Sequence, residues 1–522
     1  MSDALFLGLL ALWLGFLSWL RPLSLPDEGR YPGVAWEMLR SSEWATPLLN
    51  GLPYFHKPPL FYWLDMLSIQ LFGMNEWTAR LPSLLAAWLA LAGLHVFVGA
   101  YFDRRTACVT TLMLATTPLF FGAAQYADMN MLVAAMIALC LLAAADTVLR
   151  RADGRPYRAM SLAAAAFAAL AVLAKGLIGI ALPGLILLLW LMARRDGRGF
   201  LALVWPPALA VFASIVLPWF VLMQMRYPGF FHYFFVYQHF ERFSGGGFNN
   251  VMPFWFFALV LLVGCLPWSL WGWRLAGRAF WRAEDPRKLR LLMGWWAAVV
   301  LVFFSLPSSK LVGYILPALI PLVFLLAQAL LQRVGGDGFS WSAKHNRWAV
   351  IGLASAAVIC LIVALVAAFA PQRSNKALAL GLRDQLVKGD TLVALSGYPF
   401  DLPFYARYSE PLWVVDDWEN RQAILREDSW RKELYDAGEF DPTAARETLL
   451  TPSALSQRLC AAPSGTRFWF WKALRDKEQT PPRWLDGLPP IFSDGHGGIW
   501  RIEVSAAFKE RLCRAAPDAA IH

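Results

Sequence analysis

The chain predicts a polytopic α-helical membrane protein with a small soluble α/β domain at its C-terminal end. Three observations lead there. Of 522 residues, 58% are hydrophobic and only 16% charged, a balance outside the range of soluble domains. Apolar runs of spanning length recur throughout residues 1–370. Over 371–522 the composition becomes charged, mixed and Pro-rich. A formal charge of +10 would ordinarily raise nucleic acid as a partner. Here the Lys and Arg gather in short loops between apolar runs, so membrane lipids are expected and nucleic acid is not. The 26 Trp suit residues placed at membrane interfaces.

The first apolar run, 4–20, has no basic leader and no small-residue cleavage site, so it reads as a retained span rather than a signal. Further runs fall at 82–101, 106–124, 130–148, 159–174, 177–192, 202–223, 253–272, 291–306, 312–331 and 348–370, giving about eleven spans. Alternate loops carry Arg104 and Arg105; Arg150, Arg151, Arg155 and Arg158; Arg194, Arg195 and Arg198; the basic 274–290 stretch; and Arg333, Lys344 and Arg347. The positive-inside rule places these in the cytoplasm, together with the N-terminus, and sets the C-terminal domain outside. The stretch Pro58 to Phe72 is apolar but short, and is expected to lie along the membrane surface. The alternative, a further span, would invert every later loop.

In the C-terminal domain, strands are expected at Thr391–Leu395, Leu412–Val415, Arg467–Trp471 and Gly498–Val504, with helical stretches such as Glu419–Leu434 between them. Cys108, Cys140, Cys265 and Cys360 fall within spans and suit packing. Cys460 and Cys513 fall in the outer domain, where they are either a disulfide or two buried thiols.

On this topology the outer side collects an unusual set of ions. Asp27 and Glu28 follow the first span directly, and charge beside hydrocarbon must be solvated, paired or used. They either cap a helix or serve as a base or a site for a cationic substrate group. Tyr54, His56 and Lys57 follow in irregular backbone before Pro58-Pro59. Asp128 is either a helix cap or a second acid. Lys175 either snorkels to water or points into a cavity and binds phosphate. Around 226–252 lie His239, Glu241 and Arg242, then Gly245-Gly246-Gly247, a candidate flap. Lys310 and Tyr314 sit at the outer boundary of a later span. His56 and His239 can share a divalent metal, or stand unliganded. Cations, acids and aromatics at one membrane surface suit an anionic lipid headgroup.

The motifs DEGRY, NGLPYFHKPPLFYW, WTARLPS, LAKGLIG, QHFERF and SSKLVGYILP, in that order over residues 1–330, resemble the bacterial GT-C glycosyltransferases. In particular they resemble the aminoarabinose transferases that modify lipid A, relatives of the protein O-mannosyltransferases. The resemblance implies a GT-C fold in a bacterial inner membrane with a periplasmic C-terminal domain. It also implies inverting transfer of a sugar from an undecaprenyl-phosphate donor to lipid A or another periplasmic acceptor, without a nucleotide cofactor. It makes Asp27 and Asp128 the catalytic acids. Arg30, Tyr31, Tyr54, Lys57, Lys175, Arg242, Lys310 and Tyr314 become candidates for the donor phosphate and substrate. Where the family carries Glu before Lys-Pro-Pro, this chain has His56, so a zinc or magnesium site at His56 and His239 would have altered ligand charge. The spans are also fewer than in the lipid A enzymes, which leaves another sugar or another glycolipid, glycan or protein acceptor open. A polyprenyl-lipid transporter or flippase is the reading outside this class. Charge gathered at one face, without internal symmetry, favours surface chemistry over it.

Overall fold

The computed structural model describes residues 1–241, 250–282, 285–334, 347–370, 373–426, 428–474, 485 and 488–514, excluding the side chains of 239–241, 333, 334, 348, 511 and 514. Every apolar run is helical. Among the described residues, six helices are long and apolar enough to cross a membrane: Glu76–Tyr101, Met129–Ala152, Arg158–Lys175, Pro206–Arg226, Val312–Gln332 and Ala349–Phe369. The pair Arg104–Ala115 and Pro118–Ala124 makes a seventh if counted as one span bent by 68°. The bend follows from Pro118, which forces Thr117 before it into extended backbone.

The other four runs are shorter or broken. Ile178–Arg194 and Leu289–Ser305 have 17 residues each, the lower limit for a crossing helix. The first helix, Asp3–Gly15, stops short of the expected end at 20, and Leu17 turns the chain with a φ of 68°. The 253–272 run divides into Phe256–Gly264 and a 3-10 helix Trp268–Ala276 around Pro267, which has no N–H to continue the ladder.

Burial grades the bundle from centre to rim. Met129–Ala152 has 94% of its apolar window buried and forms the core, whereas Ala349–Phe369 has 11% and turns most of its surface to the bilayer.

The loop after the first helix holds the helix Asp27–Ser41, a hairpin of Leu48–Leu49 with Leu52–Pro53, and the expected short helix, which runs Leu60–Phe72. Buried Glu37 closes the hairpin turn by accepting from the N–H groups of Asn50 and Gly51, each at 2.8 Å.

The C-terminal domain is a six-stranded sheet in the order Leu449–Leu450, Trp413–Val415, Thr391–Leu395, Arg467–Ala473, Gly497–Glu503, Phe492–Ser493. The first four strands are parallel, and Gly497–Glu503 is antiparallel to both of its neighbours. The four expected strands lie within two residues of their expected bounds. The expected helix at 419–434 is two, Arg421–Arg426 and Trp430–Gly438, because Ser429 is extended where the second begins. Cys460 and Cys513 are joined by a disulfide. Of the cysteines in the bundle, Cys140, Cys265 and Cys360 are buried and Cys108 half-buried.

This domain clasps the first loop. Leu25 N–H donates to Arg373 C=O at 2.9 Å and Leu23 N–H to the Tyr405 hydroxyl at 2.8 Å. Asn50 exchanges two hydrogen bonds with the Leu412 backbone, at 3.0 and 2.8 Å. At Gly29 a side chain would stand 2.9 Å from the Asp401 backbone nitrogen, so only glycine allows this approach.

Candidate active site

Pro26 opens the Asp27–Ser41 helix and places Asp27 and Glu28 in its first turn, where carboxylates are favoured. The two then point to different partners. Glu28 is wholly buried. It accepts from Arg80 Nε at 2.8 Å and Nη2 at 3.1 Å, from both Arg21 terminal nitrogens, and from the N–H groups of Ser24 and Ala127 at 3.0 and 2.9 Å. Arg80, also wholly buried, gives its remaining bonds to the carbonyls of Ser18, Arg21 and Pro22. Burial alone would push the Glu28 carboxyl up; Arg80 and Arg21 outweigh it and bring it down to about 2. Glu28 therefore locks the loop to the bundle through Arg21 and Arg80, and not through Arg30.

Arg30 lies between Asp27 and Glu433, pairing with both. Glu433 comes from the Trp430–Gly438 helix of the sheet domain and also accepts from the Tyr54 hydroxyl at 3.2 Å. Asp27 is 31% exposed, against 13% for Arg30 and 10% for Glu433. Among the described residues this trio holds two carboxylates and one guanidinium, a sum of −1, and Asp27 is the end that solvent reaches. The Tyr31 ring lies under Arg30, 5.1 Å from its guanidinium carbon.

Asp128 caps the central helix Met129–Ala152. Its Oδ1 accepts from Asn130 N–H at 2.7 Å and its Oδ2 from the Asn130 side-chain amide. The helix-cap alternative for this residue is the one seen, and Asn130 also accepts from the Lys175 ammonium. Lys175 in turn stands 4.3 Å from the centre of the Tyr314 ring. A side chain at Gly313 would meet Asn130 Nδ2 at 2.6 Å, so the 3-10 helix Val312–Ala318 can approach only with glycine there. Burial pushes the Asp128 carboxyl up to about 6, with Lys175 and the Asn130 bonds opposing and Asp27 adding to the rise.

The structure thus brings Asp27, Arg30, Tyr31 and Tyr54 into one cluster and Asp128, Lys175 and Tyr314 into another. The two are linked by Glu28, whose Oε1 holds the N–H of Ala127, the neighbour of Asp128. Lys57, in the same loop, is half-buried. Lys310 is used differently from the expected phosphate ligand: its buried ammonium donates to the carbonyls of Met252 and Pro307 and pins those segments together. Arg242 and the glycine flap lie outside the described residues, and so does the side chain of His239 on the 232–241 π-helix.

His56 is buried, stacked on Tyr54 with ring centres 4.6 Å apart, and its Nε2 is 4.0 Å from Asp436 Oδ2. Lys432 already holds that carboxylate, at 2.8 and 3.2 Å. Among the described residues no group of three His, Cys, Asp or Glu side chains could hold a metal ion. Asp436 is thus the acid near His56, and the side chain of His239, the other expected ligand, is outside the described residues.

Arg21, Arg80, Lys432, Glu433 and Asp436 were not singled out from the sequence. Arg80 stood inside the quoted WTARLPS motif. The other four carry no local pattern that marks them.

The family profile for dolichyl-phosphate-mannose-protein mannosyltransferases matches residues 56–222. The undecaprenyl phosphate-alpha-4-amino-4-deoxy-L-arabinose arabinosyl transferase of Enterobacter sp. (strain 638) is 34% identical over 382 residues, 69% of this chain and 65% of the relative. The protein of that name from Aeromonas hydrophila is 32% identical over 394 residues, 72% of this chain and 67% of the relative. The chain thus spans about two thirds of the length of these relatives, and just under that of the first. Among solved structures, ArnT from Cupriavidus metallidurans bound to undecaprenyl phosphate superposes with a TM-score of 0.76 at 23% identity, covering 97% of this chain and 98% of that one. The archaeal oligosaccharyltransferase AglB from Archaeoglobus fulgidus gives a TM-score of 0.55 at 13% identity, covering 90% and 68%. At these identities the two structures share the fold.

Proposed function

The chain belongs to the undecaprenyl phosphate-aminoarabinose arabinosyl transferase family, and we propose that it moves 4-amino-4-deoxy-L-arabinose from undecaprenyl phosphate to a lipid A phosphate. The observation that carries this reading is the Asp27–Arg30–Glu433 trio, whose excess negative charge ends at the accessible Asp27. An amino sugar brings an ammonium to meet it. Lys57, Lys175 and Arg242 supply positive charge for the departing polyprenyl phosphate. An acceptor phosphate oxygen, already anionic, attacks the anomeric carbon. The bond from that carbon to the donor phosphate breaks on the opposite face, and undecaprenyl phosphate leaves. Such an acceptor needs no strong base, so Asp27 holds the sugar and Asp128 orients Lys175 through Asn130. A divalent metal at His56 and His239, when bound, would add positive charge beside the leaving phosphate.

We place the reaction at the periplasmic face, with the N-terminus cytoplasmic, from the charge bias of the loops. The contact of Glu433 with Arg30 puts the sheet domain and the site on one side of the bundle. Mass spectrometry of lipid A from cells with and without the protein tests the reading. An added pentosamine is expected; unchanged lipid A overturns the acceptor and sugar named here.

A further inference from the structure

Beside Glu28 a cavity of about 240 Å³ opens between the Pro118–Ala124 helix and the rim helix Ala349–Phe369. Its polar end is made by Arg21, Ser24 and Tyr126, and its apolar walls include Phe121, Val363 and Ala364. None of these belongs to the set assigned to the donor.

Among the described residues the polar end carries a hydrogen-bonded set of two guanidinium groups and one carboxylate, with Asp27 and Asp128 acting on Tyr126 from the side of the acids. Arg80, Glu28 and Arg21 sum to +1. Arg80 is wholly buried and bonded to Glu28 and three carbonyls. Arg21 is 13% exposed, lines the cavity and lies over the Tyr126 ring at 5.3 Å. Arg21, which also donates to the Gln125 carbonyl at 2.9 Å, is thus the cation of this set that faces the cavity. The opposite wall belongs to the helix with only 11% of its apolar window buried, so the cavity borders the bilayer and a lipid can reach it sideways. It is smaller than the roughly 300–1,000 Å³ of whole-ligand sites and suits one end of a larger amphiphile. It also adjoins the acids: Glu28 follows Asp27, and Ala127, bonded to Glu28, precedes Asp128.

We propose that this cavity receives the phosphate end of the acceptor lipid, with Arg21 facing the phosphate and the start of an acyl chain lying along Val363 and Ala364. This rests on the transferase reading above and assigns the acceptor a mouth separate from the donor's.

The test uses the full chain in phosphatidylethanolamine vesicles with a photoreactive acyl-chain analogue of lipid A. Arg21 is tied to buried Glu28, so the variant is Ala364→Trp, which fills the cavity from the rim helix. Labelling is expected on peptides covering 118–126 and 360–369. Intact lipid A should displace it about tenfold better than phosphatase-treated lipid A, and Ala364→Trp should cut it about tenfold while leaving donor binding unchanged. Labelling elsewhere, equal displacement by the dephosphorylated lipid, or indifference to Ala364→Trp overturns the proposal. Labelling as expected in a protein that transfers no sugar to lipid A overturns the transferase reading and the acceptor role, and leaves the lipid-phosphate site standing.

Discussion

Arg80 reaches Glu28 across 52 residues of sequence, Nε to Oε1 at 2.8 Å, with both side chains wholly buried. This pair joins the first loop to the bundle, next to Asp27, the acid proposed to hold the sugar.

Removing one member of such a pair strands a charge. Glu28→Ala leaves Arg80 and Arg21 facing each other and is expected to destabilise the fold by about 3–5 kcal/mol. Thermal unfolding in detergent should show it as a loss of folded protein.

The same carboxyl sets an acid limit. Its value of about 2 lies below that of the unfolded chain, so its stabilisation is present above the unfolded value and is lost as pH falls through the folded one. Unfolding midpoints measured from pH 5 down to 2 should fall steadily, and Glu28→Gln should flatten that part of the fall.

Asp128 carries the opposite sign. Raised to about 6 by burial, it favours the folded state in its neutral form, and that advantage is lost as pH rises through 6. If its ionised form orients Asn130 and Lys175, initial rates should climb between pH 5 and 7 with a limb near 6. Asp128→Asn should remove the limb along with most of the activity.

Asp27 is partly exposed, and Arg30 keeps Glu433 when Asp27 is replaced. Asp27→Asn should lower the transfer rate by about 100-fold or more with an unchanged unfolding midpoint. Normal turnover in this variant would sink the role given to Asp27. Glu433→Gln removes the excess negative charge of the trio, and KM for the amino-sugar donor should rise about tenfold.

The Cys460–Cys513 bond closes 53 residues of the sheet domain. Reduction should lower that domain's stability by about 2–4 kcal/mol. Alkylation of both cysteines should require reductant, which mass spectrometry of the peptides reads directly.

Hydropathy made the helices legible, because lipid-facing and bundle-facing surfaces are both apolar and long runs stand out. It did not register the breaks at Leu17 and Pro267, which are single-residue events inside apolar runs. Asp27, Asp128, Lys175 and Tyr314 were legible as ions and aromatics at one face. Their connector Asn130 was not, since an amide at the start of a helix is ordinary. Lys310 was legible as a cation but not as a brace, because its carbonyl partners are backbone atoms that any sequence provides. Glu433, Asp436 and Lys432 lie about 400 residues from the loop they complete (403 separate Arg30 from Glu433), and no local spacing reveals such a partner.

The clasp at Gly29, Asn50 and Glu433 also has a bearing on synthesis. When the ribosome has made the last bundle helix, Arg30 still lacks its second carboxylate and Asn50 its backbone partner at Leu412. The candidate site is complete only when the sheet domain has folded back onto the first loop. A message cut short after the bundle would leave Arg30 and Asn50 without these partners, so completion of the site waits for the last domain.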